Sequence, residues 1–369
     1  MRALNVVFVV QGEGRGHMTQ AIALAAILRD AGHIVTKAMI GRSVHRLTPT
    51  YFAESIDAPV IEFEAPVQVP DRNRQGISNT RTLFDAVKRS PRFLRSMATI
   101  SKETKSADVV VTFLDLMAGL SRVLFPSKTP ALSVAHNYLF LHPDLRGAPG
   151  PRRHRSVVLA YAKATTTGMD QKIALSFTPL ESIPERGMVV APPLLRPGLD
   201  NLETHNSGYL LAYALNPGNS KALLDWQRRS RAEVHCFVEG GSSAVPGSAH
   251  GFYAHELDDG AFLKHLAGCR AYVGSAGFEG LCEALYLGKA ALAVPTKGHF
   301  EQTLNAWDAE RCGIARAGSY ADLDEFWANP PQPNSEQVLS FKRWVARAPE
   351  VLVEEIERAA TKHGSGLCR

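Results

Sequence analysis

No apolar run in this chain is long enough to cross a bilayer. The longest one near the start, Ala3 to Val10, is interrupted by Asn5 and lacks the charged flank and cleavage site of a signal peptide, so a cytoplasmic protein is expected. Cysteine is scarce. Cys236, Cys269, Cys282, Cys312 and Cys368 are odd in number and widely spaced, with no Cys-x-x-Cys pair, which suits neither a disulfide framework nor a structural zinc site. They are expected to be reduced and mostly structural. Low-complexity tracts are missing, and so is any internal repeat beyond two similar α/β halves. A dinucleotide fingerprint is missing too: Gly12-Glu13-Gly14-Arg15-Gly16-His17 has the first two glycines but carries His17 where the last should stand.

What is present is enough for two packed interiors. A chain of 369 residues, 45% of them hydrophobic, exceeds what one core usually organises. Charge is unevenly divided. Residues 1 to 196 hold 25 Lys and Arg against 15 Asp and Glu, a formal +10; the remainder holds 16 against 21, a formal −5. A basic half attracts anions such as a membrane surface, a phosphorylated acceptor or nucleic acid, although a solvated surface with a chance excess of arginine reads the same way.

Short β-branched runs alternate with amphipathic ones, the pattern of βαβ units and parallel sheets. In the first half the expected strands are Ala3 to Val10, Ile34 to Ile40, Val60 to Phe63, Asp108 to Phe113 and Ala131 to Ala135. Helices are expected over Thr19 to Asp30 and over Thr80 to Lys105, the latter broken near Pro91. In the second half, Tyr209 to Ala214, Glu233 to Val238, Phe252 to Leu257, Ala271 to Val273 and Ala291 to Val294 read as strands. Helices are expected near Ser220 to Arg229, Gly260 to Leu266, Gly280 to Leu287, Gln302 to Glu310 and Ala321 to Trp327. The proline-rich stretch Ala191 to Gly198 reads as a linker, which puts the domain boundary after Arg196.

Two strand ends carry candidate chemistry in the first half. His17 follows the first strand, where open α/β sheets bind ligands, and an imidazole titrates in the range of a general base; a packed or capping histidine is the plainer alternative. Asp115 ends the fourth strand. Beside His17 it would fix the tautomer and stabilise the imidazolium; alone it would cap the helix from about Ala118. The second half holds a denser constellation, Gly274-Ser275-Ala276-Gly277-Phe278-Glu279-Gly280 followed by Glu283, then Lys297, His299, Glu301, Gln302 and Asn305. A strand entering a glycine-rich turn and a helix near Gly280 presents amides to a diphosphate, with Ser275 adding a hydroxyl. Glu283 is placed to accept from a ribose diol, and the second loop to read sugar hydroxyls.

These residues resemble the GT-B glycosyltransferases, in particular the group of the peptidoglycan N-acetylglucosaminyltransferase and the UDP-glycosyltransferases. The likeness is specific over Ala271 to Ala315, visible over Gly12 to His17, and elsewhere a matter of element order. Gly14, Gly16 and His17 match the family's histidine-ended loop; Gly277 and Glu283 match its donor motif, and Glu301 with Gln302 its acidic-Gln sugar-reading pair. His17 with Asp115 is similar to the family's His-Asp arrangement. Ser275 and Glu279 depart from the plant-type pattern, which has His and Asn there; an ionised Glu279 is a poor phosphate neighbour, so phosphate binding would lean on backbone amides.

The resemblance implies two Rossmann-like domains facing each other across a cleft, residues 1–196 binding acceptor and 197–369 binding donor, with the last helices returning to the first domain. It implies inverting transfer of a hexosyl or N-acetylhexosaminyl group from a nucleotide-sugar substrate, UDP being the commonest nucleotide, with neither metal nor cofactor and with no nucleic-acid partner. Three other readings stand beside it: a natural-product glycosyltransferase, a nucleotide-sugar 2-epimerase and a non-catalytic GT-B-like subunit. The segment Lys88 to Met97, continued by Ile100, Lys102 and Lys105, interleaves basic and apolar residues. With Arg146, Arg152, Arg153 and Arg155 it suggests docking at the inner face of an anionic membrane, Phe93, Leu94 and Met97 toward the acyl chains, to reach a lipid or lipid-linked acceptor. The alternative has those apolar residues packed on the domain.

Overall fold

A computed structural model of the protein describes residues 2–12, 14–42, 50–66, 89–214, 217–245 and 250–364. The chain divides into two compact units. One takes the described residues up to Pro197 together with the chain from Trp344 onward; the other includes Gly198–Arg343.

The first unit is built on seven parallel strands: β1 (Asn5–Val10), β2 (Ile34–Arg42), β3 (Val60–Glu64), β4 (Val109–Phe113), β5 (Ala131–Ala135), β6 (Gln171–Leu175) and β7 (Met188–Ala191). Their spatial order is β3-β2-β1-β4-β5-β6-β7. The direction of winding reverses between β1 and β4, which run in register from Val6 beside Val109 to Val10 beside Phe113. Both strands are buried on both faces, as the Val-rich runs require once helices cover a parallel sheet. The covering helices are α1 (Gly16–Asp30), α2 (Thr50–Ser55), α3 (Ser90–Thr104), α4 (Leu116–Leu124) and α5 (Arg152–Thr165).

The second unit repeats the plan with six parallel strands, β8 (Leu210–Ala214), β9 (Val234–Val238), β10 (Phe252–His255), β11 (Ala271–Gly274), β12 (Ala290–Ala293) and β13 (Arg316–Ala317), ordered β10-β9-β8-β11-β12-β13. Its helices are α6 (Pro217–Ser230), α7 (Asp259–Gly268), α8 (Phe278–Tyr286), α9 (Phe300–Arg311) and α10 (Leu323–Ala328). The winding reverses between β8 and β11. The core packs Trp226, Leu223 and Phe326 against the strands, and Trp226 Nε1 donates to Asp324 Oδ1 at 2.8 Å.

Several expectations need revision. Strands β6, β7 and β13 were not expected; β6 opens on Gln171-Lys172 and the other two have four and two residues, too short for a periodic signal. Pro91 lies in the first turn of α3, where its missing N–H costs nothing, so it starts the helix and does not break it. Residues 80–88 of that expected helix lie outside the described residues. Phe93 and Met97 are buried in the core with Val9, Val110 and Met117, which corrects their placement toward acyl chains. Only Leu94 of the three is exposed. No described helix is long and apolar enough to cross a membrane. Cys236, Cys269 and Cys282 are buried free thiols, and burial pushes the first two up to about 12; Cys368 lies outside the described residues.

The chain end is anchored on the first unit. Trp344, near the end of α11 (Ser335–Val345), is buried and donates from Nε1 to the Ser176 carbonyl at 2.9 Å. In α12 (Ala348–Gly364), Glu355 accepts from Gln171 at the start of β6. Trp344→Ala is expected to lower stability by about 3–5 kcal/mol through the cavity and the orphaned carbonyl, read as an earlier urea transition.

Candidate active site

The C-terminal ends of β1 and β4 lie side by side, with the Gln11 amide donating to the Phe113 carbonyl at 3.1 Å. Ligands of doubly wound sheets gather at this reversal point. Gly14 has φ +82° with open space where a side chain would stand, and Gly16 is the first residue of α1. That helix begins without a side-chain cap and without an acidic residue in its first turn, so no described side chain occupies its leading amides. His17 is half-buried in the first turn, its Nδ1 3.4 Å from Gln20 Oε1.

Asp115 caps α4, its Oδ1 accepting from the Ala118 amide at 2.8 Å. No hydrogen bond joins it to His17 among the described residues, so the structure makes the cap and not the relay. The preceding residue, Leu114, is left-handed at φ +52°, an uncommon conformation for a side chain of that size. Desolvation pushes the Asp115 pKa up to about 6, against the pull of the Ala118 and Met117 amides.

In the second unit, β11 runs into Ser275, Ala276 and Gly277. Ser275 and Ala276 are buried, Gly277 is exposed, and a side chain on Gly277 would meet nothing within 4 Å. Helix α8 begins at Phe278, two residues before the expected start near Gly280, and Gly277 leaves it without a side-chain cap. Gly280 has a packing reason: a Cβ there would stand 2.8 Å from the Tyr272 hydroxyl. Glu279 lies in the first turn, half-buried, and Glu283 one turn on is fully buried.

The loop is held by α9. Ala276 is left-handed at φ +57°, and its carbonyl accepts from Asn305 Nδ2 at 3.1 Å. His299 caps α9 by accepting from the Gln302 amide at 3.4 Å, and the buried Gln302 accepts at Oε1 from the Thr296 amide at 2.8 Å. Asn305 and Gln302, both expected to read the donor, thus also fasten the loops that follow β11 and β12. Glu301 is half-buried in the first turn of α9.

Three buried polar atoms here have no hydrogen-bond partner among the described residues: Asn305 Oδ1, Thr296 Oγ1 and Asn219 Nδ2. Such orphans are rare in native structures. Asn219, in the first turn of α6 after β8, was missed from the sequence, although Pro217-Gly218-Asn219 between a strand and a helix is a turn signature. His136 was missed as well. It directly follows β5, is buried against Phe140 and Phe177, and donates from Nδ1 to the Leu175 carbonyl at 2.8 Å. An Asp-x-Asp triplet occurs at Asp322-Leu323-Asp324, with Asp322 in a capping box with Ser319 and Asp324 accepting from Trp226. A cavity of about 550 Å³ lined by His205, Arg270 and Lys289 lies at the opposite, N-terminal ends of β11 and β12, away from these loops.

The Asp115 carboxyl gives a signed pH dependence. In the fold it keeps its proton up to about pH 6, against an ordinary value of 3.8, so stability falls as pH rises through that window. The cost approaches roughly 3 kcal/mol when complete. Asp115→Asn, which keeps a good cap, is expected to flatten the unfolding midpoint between pH 4 and about 6; an unchanged slope would place the titration elsewhere.

Solved structures share this architecture. The kitacinnamycin glycotransferase superposes with a TM-score of 0.61 at 16% identity, covering 96% of this chain and 100% of that one. UGT2 of Phytolacca americana, complexed with UDP-2fluoro-glucose and pterostilbene, gives 0.61 at 14% identity, covering 98% of each chain. MurG of Acinetobacter baumannii gives 0.54 at 15%, covering 96% of this chain and 99% of that one. No curated protein matches the sequence. Identities this low speak for the fold alone, which is GT-B, two Rossmann-like α/β units. A model of glycosyl transferase family 1 matches residues 4–329, most of the chain, and the protein belongs to that family of glycosyltransferases.

Proposed function

We propose that this glycosyltransferase moves a hexosyl group from a UDP-sugar to an acceptor hydroxyl in one inverting displacement that needs no metal. The observation that carries the reading is the uncapped start of α8 at Gly277, open to solvent and held in place by the Asn305 bond to Ala276. A helix end of that kind favours a diphosphate, and buried polar atoms without a partner stand on the helix that makes this bond (Asn305), in the loop after β12 (Thr296) and in the first turn of α6 after β8 (Asn219). The UDP-2fluoro-glucose complex of the Phytolacca relative supports the choice of donor.

In this mechanism His17 takes the acceptor hydroxyl proton as the oxygen attacks the anomeric carbon. The bond from that carbon to the diphosphate breaks, and the leaving charge is taken up by the α8 amides and the Ser275 hydroxyl. Gln20, 3.4 Å from His17 Nδ1, orients the ring toward the acceptor. Asp115 acts through the local field and the α4 cap. His17→Ala is expected to lower kcat by about 10² to 10⁴ with UDP affinity unchanged. Wild-type turnover in that variant would remove His17 as the base.

Glu283 grips the ribose and Glu301 with Gln302 reads the sugar. Because Glu283 is fully buried, a ribose reaches it only when the residues that cover it move. Calorimetry separates this role from packing: Glu283→Ala should weaken UDP and UDP-sugar alike by about 1–3 kcal/mol, and Gln302→Ala only the sugar conjugate. A Glu283→Ala variant that binds UDP normally but melts early would leave that carboxylate a core residue. The burial of Phe93 and Met97 favours an acceptor arriving from solvent over one held at a lipid surface, a difference that a panel of free and lipid-linked acceptors resolves.

A further inference from the structure

At the outer edge of the second sheet, away from the reversal point between β8 and β11, three histidines converge from three elements. His235 comes from β9, His255 from the end of the edge strand β10, and His265 from α7; one ring nitrogen from each lies within 4.8 Å of the other two. All three are half-buried, so an ion could reach them.

The surrounding hydrogen bonds sort the nitrogens. His235 Nε2 is 2.9 Å from Glu233 Oε1, and donating its proton there leaves Nδ1 with the free pair. His265 Nδ1 is 2.8 Å from the Ala261 carbonyl, an acceptor only, so that nitrogen carries the proton and Nε2 the free pair. His235 Nδ1 and His255 Nε2 are 2.9 Å apart with their ring planes 7° from parallel, so one proton lies between them. Carboxylate and carbonyl partners on the outer nitrogens are the pattern that orients metal-bound imidazoles. Tyr209 adds support: its ring lies 4.5 Å from that of His235, and its hydroxyl donates to the His265 carbonyl at 2.7 Å.

The geometry points to a binding site for one divalent transition ion of the zinc type, held by His235, His255 and His265, with a fourth position open to water. Three imidazoles without a thiolate or a ligating carboxylate suit zinc and exclude calcium or magnesium, which take oxygen ligands. Binding replaces the proton shared by His235 and His255 and opens their 2.9 Å contact to about 3.3 Å, the edge of a tetrahedron with bonds near 2.0–2.1 Å. A bound ion would fasten β10, which pairs on one side only, to β9 and α7. It has no part in sugar transfer.

Zinc titration of the full-length, tag-free, chelator-treated protein tests this by calorimetry, with cobalt absorption reporting coordination. One equivalent is expected to bind and to raise the unfolding temperature. His255→Asn and His265→Asn should each abolish the tight equivalent, and Glu233→Gln should weaken it by about 10- to 100-fold. UDP affinity measured on the same samples should not move, which confirms that the variants fold. No uptake by the wild-type protein at about 100 µM zinc, or uptake equal in wild type and both histidine variants, would overturn the site.

Discussion

A single side-chain hydrogen bond holds the candidate donor loop in a conformation that its own backbone disfavours. Ala276 is left-handed, which costs about 1–2 kcal/mol for a residue with a Cβ, and it is buried, so its carbonyl cannot turn to water for a partner. Asn305 Nδ2 supplies that partner from the second turn of α9. Without the bond the segment from Ser275 to Gly277 would relax, and the first amides of α8 would lose their direction. The Thr296 amide bond to Gln302 does the same for the loop after β12, so two side chains of one helix organise both loops. The residues that an amino-acid pattern assigns to ligand recognition are here the residues that fasten the two loops.

The first sheet shows the same device with a different outcome. Leu114 is left-handed at the end of β4 as Ala276 is just beyond β11, but the residue that follows Leu114 is an aspartate whose carboxylate turns back onto the α4 amides. Strain in both loops is compensated by a buried polar contact, and in both the strained residue precedes a helix at the reversal point of a doubly wound sheet. A tight left-handed residue is what lets a strand turn directly into a helix there.

Much of this was legible in the sequence, and the reasons are physical. Strands β1, β4, β5 and β11 are continuous apolar runs because helices cover both faces, and such runs stand out against polar turns. The placing of Asp115 at the same sheet edge as the loop of His17 depended on β4 lying beside β1, and those two strands do pair, from Val6 beside Val109 to Val10 beside Phe113. Strand β7, four residues against a diproline, carried too little pattern to register, and β13 consists of Arg316-Ala317 alone. Side-chain partners were less accessible to pattern reading. The Asn305 bond to Ala276 joins residues 29 apart, and whether Phe93 and Met97 face a core or a lipid depends on which side of α3 meets β4 and α4. The histidines at 235, 255 and 265 are separated in sequence and become a cluster only when β9, β10 and α7 pack together.

The uneven use of helix ends bears on which unit takes the anion. A carboxylate at a helix N-cap satisfies the leading amides and cancels the positive end of the helix dipole, so α4, capped by Asp115, has little left for a phosphate. Helix α8, begun by a glycine with open space beside it, keeps its leading amides without a side-chain cap, as α1 does, while Glu279 in its first turn works against the field. That difference runs against the formal charges, since the half that carries the open α8 is the one with excess Asp and Glu. Formal charge spread over a solvated surface is screened within about 10 Å at ordinary ionic strength, whereas amides fixed in a loop act at contact distance. The proposed diphosphate site at α8 therefore rests on local backbone geometry and not on net charge.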